Sequence, residues 1–249
     1  MAGLWILGLL LCIAALPVLL IYLWFRTRRF PMPASWFLLS LLAGAFSLLI
    51  AALLQGLFSR TAGYGGGGFS SGNGMGTLLF TVFIRIALTE ETGRVVALGL
   101  LFRIARTGVL PLVPSDARRA GFGKETRGLG ALPQAFGGAI GLVAGLGFAL
   151  IESASYGAAD MLIALLRAFT AAPLHGACGA RIGMGLGGFT AGPYRALGRF
   201  LSAVILHGMY NLMVLNPGIP PILPILIAFS ALFTAMHRIH GHSPEGYPL

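Results

Sequence analysis

Five residues of this sequence carry side chains suited to proton transfer or metal ligation while standing in otherwise apolar segments. They are Glu90 and Glu91 in "RIALTEETGRVVALGL", Glu152 in "GLGFALIES", His175 in "RAFTAAPLHGACGA" and His207 in "LHGMYN". The chain has only seven carboxylates, so three of them inside apolar runs is not what selection for lipid insertion would produce. A charged carboxylate at the centre of a membrane helix costs about 2.5–3.5 kcal/mol on insertion scales, which makes such residues functional candidates. A glutamate in a low-dielectric site can act as general base toward water, and a histidine can hold that water, ligate a metal or protonate a leaving amine. The set suits amide hydrolysis. No GxSxG or SxxK element accompanies a serine, Cys12 and Cys178 lie in different apolar segments with no CxxC, and there is no pair of membrane aspartates. Serine, cysteine and aspartic nucleophile chemistry are therefore disfavoured. His175, His207 and a glutamate, Glu152 foremost, form a candidate donor set for zinc that leaves one position for water. No HExxH spacing fixes that metal locally, so activation of water by glutamate and histidine alone is the alternative.

Helical spacing assigns supporting partners. Glu90 and Arg94 are four apart and share a face, while Glu91 points about 100° away, so one glutamate can pair, Glu90 by this spacing, and the other stays available. Arg167 requires a carboxylate at membrane depth, with Glu152 and Asp160 at hand. Pro173 removes a backbone hydrogen bond two residues before His175. Asn211, one turn after His207, is placed to hold the imidazole tautomer or to donate to a developing oxyanion. The three histidines of the tail, His237, His240 and His242, follow the last apolar run among Arg238, Gly241 and Pro244 and read as an ordinary polar end.

These groups need rods through a bilayer to position them. Of the 249 residues 57% are apolar and only 10% charged, far below the roughly 25% charged of a soluble domain. Apolar segments recur at Leu4–Phe25, Ala34–Phe58, Leu78–Phe102, Ala131–Ile151, Met161–Ile182, Ala196–Leu215 and Ile219–Met236, each near the ~20 residues that cross a hydrocarbon core. Backbone amides find no water there and no strand-like alternation is present, so the fold class is all-α, a polytopic bundle of seven spans. Every candidate group falls on spans three to six, a four-helix catalytic core. The chain divides into supporting helices and a glycine-rich external loop (1–77), the core (78–215), and a last helix with its tail (216–249). The net charge of +10 does not point to nucleic acid. With the N-terminus outside, most basic residues fall on one side, from Arg26 and Arg28 through Arg103, Lys124, Arg181, Arg195 and Arg199 to Arg238, and only Arg60 falls in an opposite-side loop. By the positive-inside rule that side is cytoplasmic. Leu4–Phe25 lacks a basic n-region and precedes "RTRRF", as a retained anchor does.

Taken in order, the motifs resemble those of the PrsW-type intramembrane proteases, within the superfamily of CAAX prenyl endopeptidases and bacteriocin-processing enzymes. "EETGR" is similar to that family's EExxK/R motif, "GLGFALIESASY" to GFGFAxxENxxY, "RAFTAAPLHG" to RxxxxPxxH, and "LHGMYN" to LHxxxN. Ser153 stands where the family usually has asparagine, and Thr92 and Gly93 replace bulkier residues. The resemblance implies an endopeptidase of the cytoplasmic (inner) membrane acting on a membrane-anchored protein. It implies that Glu90 or Glu91 activates water, that Arg94 orients the pair, and that Glu152, His175 and His207 complete the site, with Arg167 and Asn211 supporting. Two other readings use the same residues: a non-catalytic membrane scaffold subunit, since the superfamily resembles a gamma-secretase component, and a proton-coupled transporter, since buried acids and histidines also mark ion paths.

Overall fold

The structure, a computed structural model, describes residues 2–28, 30, 32–61, 74–106, 134–157, 161–187 and 192–241. Its elements are α1 (Ala2–Thr27), α2 (Ala34–Thr61), a short α3 (Met75–Leu79) that continues as a π-helical stretch (Phe80–Leu88) into α4 (Thr89–Arg106), then α5 (Gln134–Gly157), α6 (Met161–Gly187), α7 (Pro193–Leu215) and α8 (Ile222–Gly241). There is no strand among the described residues. Each of the seven apolar segments overlaps helix among the described residues, Leu78–Phe102 running through α3, the π-helical stretch and α4. Five of these helices, α1, α2, α5, α7 and α8, are long and apolar enough to cross a membrane. The glycine-rich loop and the 107–133 segment lie outside the described residues, as do Asp116, Glu125, Asp160 and His242.

The central rod is α5. Its apolar window is 83% buried, whereas those of α1, α2, α7 and α8 are only 22–33% buried, as expected of helices with one side turned to lipid. Around α5 pack α1, α2, α6 and α8, and the tightest pairing is with α6. Small residues explain that intimacy: a Cβ on Gly141 would land on the Gly179 carbonyl, and one on Gly145 on the His175 carbonyl. The two backbones therefore touch directly, the packing by which small residues hold membrane helices together. An aromatic cluster of Phe25, Phe30, Phe37, Trp36 and Phe136 locks the α1–α2 hairpin onto the start of α5.

Two local features matter for the site. First, the nine residues Phe80–Leu88 run in π geometry immediately before the two glutamates, which shifts every later side chain around the axis relative to a plain α-helix. At the junction the Thr89 hydroxyl donates to the carbonyls of Arg85 (2.5 Å) and Ile86 (2.9 Å). Second, α6 runs unbroken from Met161 to Gly187 through Pro173, carrying His175 into the densest part of the core.

Because the α5–α6 contact is backbone to backbone, Gly141→Val should lower the thermal midpoint of the detergent-solubilised protein, with a cost of at least ~1–3 kcal/mol for overpacking. Gly99→Ala, at a position with nothing within 4 Å of the new methyl, should leave the midpoint unchanged or slightly raised.

Candidate active site

Four helices each place a functional side chain in one buried cluster: Glu90, Glu91 and Arg94 from α4, Glu152 from α5, Arg167 and His175 from α6, and His207 from α7. Glu91 and Arg94 are completely buried, and Glu90, His175 and His207 nearly so. Glu152 and Arg167 retain some exposure.

The cluster is organised around Arg94. Its guanidinium pairs with Glu91 Oε2, reaches His175 Nδ1 with Nη2 at 3.2 Å and lies over the Phe148 ring, 4.8 Å from the centroid. The pair expected from spacing, Glu90 with Arg94, is not formed. Arg94 closes instead on Glu91 at i,i+3, because Glu90 projects from the other side of the turn toward α2 and α7. The second oxygen of Glu91 contacts His207 Nδ1 at 2.8 Å. That bond, and not Asn211, holds the His207 ring; Asn211 sits half-buried one turn beyond.

For each imidazole in its neutral form, these contacts select one tautomer. Arginine only donates, so His175 Nδ1 accepts from Arg94 and its proton resides on Nε2, which stands 2.9 Å from Glu152 Oε2. Glu91, paired with Arg94, accepts from His207 Nδ1–H, which leaves the His207 Nε2 lone pair facing inward. The two rings meet edge to face with centroids 4.9 Å apart, and Phe148 tilts against His175 at 4.8 Å. Arg167 finds its carboxylate in Glu152, with Nη2 to Oε2 at 2.6 Å, while its guanidinium covers the Tyr156 ring at 4.2 Å.

Glu90 differs from its neighbour. Its Oε1 is approached by Gln55 Nε2 of α2 at 3.5 Å, while its buried Oε2 accepts no hydrogen bond among the described residues and lies 3.7 Å from His207 Nε2. A buried carboxylate oxygen left unpartnered is costly unless something outside the protein satisfies it. Glu90, His175 and His207 each offer one ligand atom, all within 4.8 Å of one another, although His175 would have to exchange its present contact with Arg94 or Glu152 for the ion. Two imidazole nitrogens and one carboxylate oxygen suit a borderline divalent cation. His207 has the second contact usual for a metal-bound histidine, its outer N–H held by a carboxylate. The cluster fits a divalent metal. Its acid is Glu90, where sequence reasoning placed Glu152; Glu152 instead stands beside His175 Nε2 and Arg167. Sequence reasoning also left α2 out, although Gln55, a large polar residue in the apolar run "IAALLQGLF", was the available signal. Gln55 also donates to Thr89 Oγ1 at 3.3 Å.

The unequal bonding of the two glutamates predicts unequal stability effects. Glu91→Leu strands the Arg94 charge in a dry site and should cost about 3–5 kcal/mol, read as a large drop in thermal midpoint or loss of folded protein. Glu90→Gln, at a side chain with an orphaned oxygen, should cost less than about 1 kcal/mol in the same assay.

A search among curated proteins and among solved structures returns no match. The family model described as PrsW family intramembrane metalloprotease matches residues 32–236, a stretch that contains all seven clustered residues. With buried acids and imidazoles gathered inside an apolar helical bundle, and most of its length matched, the chain belongs to the PrsW family of intramembrane metalloproteases.

Proposed function

We propose that this protein is an intramembrane endopeptidase that hydrolyses a peptide bond of a membrane-anchored protein with a water activated by Glu90 and His207. The observation that carries the reading is the unpartnered Glu90 Oε2 facing His207 Nε2 across 3.7 Å. That separation is too long for a direct hydrogen bond and suits a water touching both groups. Glu90 takes the proton of that water as its oxygen adds to the scissile carbonyl. The same carboxyl then returns the proton to the leaving nitrogen, so no other group need change its net charge. His207 presents a lone pair because Glu91 holds its other nitrogen. Glu91 and Arg94 are positioning residues, and Asn211 is placed one turn from His207 to donate to the developing oxyanion. Glu152, held by Arg167, anchors His175. Glu90, His175 and His207 would hold a divalent metal such as zinc, which when bound supplies Lewis acidity to the water and the scissile carbonyl.

The helix layout supports a wider reading. We take the seven apolar helical segments as seven spans with the N-terminus outside the cytoplasmic (inner) membrane. Residues 78–215 then form the catalytic core, with 1–77 supporting it and 216–249 supplying the last helix and tail. The contact of Gln55 with Glu90 ties the supporting part to the core.

Glu90→Gln should reduce kcat/KM for a membrane-anchored reporter at least ~100-fold in folded, purified protein. Treatment with a chelator should abolish cleavage, and adding back a divalent metal should restore it. A wild type inert toward membrane-anchored reporters, yet needing His175 and His207 to bind a partner subunit, would instead establish a scaffold. Proton-coupled flux in liposomes would establish a transporter.

A further inference from the structure

Away from the catalytic cluster, a groove of about 250 Å³ runs between α4, α6 and α7. Its walls are Thr92 and Val95 of α4, Ile182 and Leu186 of α6, and Leu197 and Phe200 of α7, and all but Thr92 are apolar. At one end it shares Ala196 with a polar notch bounded by Gln134, Gly192, Arg195 and Arg199. Arg195 and Arg199 are four apart on one face of α7, and Ala196 and Phe200 on the adjoining face line the groove. A slot for an apolar chain therefore ends at two guanidinium groups.

The arginines are arranged to receive an anion. Arg199 Nη2 donates to Gln134 Oε1 at 2.9 Å, which orients its planar fork, and Arg195 is exposed beside it. The only described carboxylates are Glu90, Glu91 and Glu152, all engaged in the catalytic cluster, so neither arginine has an ion-pair partner among the described residues. Arg195 and Arg238 both repel Arg199, a field that an added negative charge would relieve. The notch encloses only about 10 Å³, room for no more than one water, so an anion rests at its mouth. Tyr194, adjacent and 88% exposed, is the kind of ring that marks the headgroup level of a bilayer.

The apolar walls match an acyl chain, and the paired arginines at the adjoining notch match the phosphate that such a chain carries. We propose that this is a binding site for one anionic phospholipid, with its phosphate on Arg195 and Arg199 and an acyl chain along Val95, Ile182, Leu186 and Phe200. Arginine suits the head because its fork takes two phosphate oxygens at once. Thr92 and Val95 flank Glu91 and Arg94 in sequence, so the bound chain would brace the α4 turn that carries the buried ion pair.

The test uses the purified full-length protein and native mass spectrometry, which counts retained lipids. Phosphatidylglycerol and phosphatidylcholine with identical chains are the probes, and inorganic phosphate is the competitor. Wild type should retain phosphatidylglycerol about 10- to 30-fold more strongly than phosphatidylcholine, as two arginines near a headgroup allow. R195Q/R199Q should lose that preference, R195K/R199K should keep part of it, and Ala196→Trp should weaken retention of both lipids. Thermal midpoints of all variants check that each is folded. Equal retention of the two lipids by wild type, an undiminished preference in R195Q/R199Q, or full displacement by inorganic phosphate would each overturn the site. Photo-reactive acyl chains should label Leu197 or Phe200; specific labelling of these positions by a substrate segment, and not by lipid, would also refute it.

Discussion

A guanidinium that cannot give up its charge has been placed where no water reaches it. Arg94 is fully buried, and dehydrating such an ion costs several kcal/mol unless a carboxylate stands against it. Glu91 meets that requirement from the same helix, one turn away. Other atoms of the pair then reach neighbouring helices, while Arg94 Nε has no hydrogen-bond partner among the described residues. Arg94 reaches His175 on α6 and covers Phe148 on α5, while Glu91 reaches His207 on α7. One electrostatic necessity on α4 thus sets the orientation of groups on three other helices and selects the tautomer of both imidazoles.

The two adjacent glutamates divide the work because a helix turns between them. Glu91 faces the guanidinium and is consumed by structure, whereas Glu90 faces α2 and α7 and keeps one oxygen unpartnered among the described residues. An apolar helix has no use for a second acid, so its retention needs a role beyond charge neutralisation. Backbone-to-backbone packing of α5 on α6, permitted by Gly141, Gly145 and Gly179, brings Phe148 and Glu152 close enough for His175 to touch both. With a larger residue at those positions the same side chains would be carried apart.

Much of this was legible in the linear chain. Glu90, Glu91, Glu152, His175 and His207 stand out because ionisable groups in apolar runs are expensive, and the structure gathers all five. Arg167 needed an acid and found Glu152, one of the two that sequence offered. Other features were not legible. Spacing alone placed Glu90 with Arg94, since four residues put the two on one face, but Glu91 takes the guanidinium and Glu90 stands beside Gln55 of α2 and His207 of α7. The tautomer-holding role given to Asn211 belongs to Glu91, a residue 116 positions distant from His207. Gln55 and the π-helical stretch before Thr89 left no periodic signature that would tie them to the site.

By itself, then, the sequence determined that this is an all-helical membrane chain with acids and imidazoles at depth, because hydropathy and the cost of buried charge act locally on each segment. Only the tertiary structure decided which acid neutralises Arg94, which is left open, and which nitrogen of each ring carries the proton. Those assignments depend on distances of about 3 Å between atoms from different helices, and such distances are set by how the rods pack.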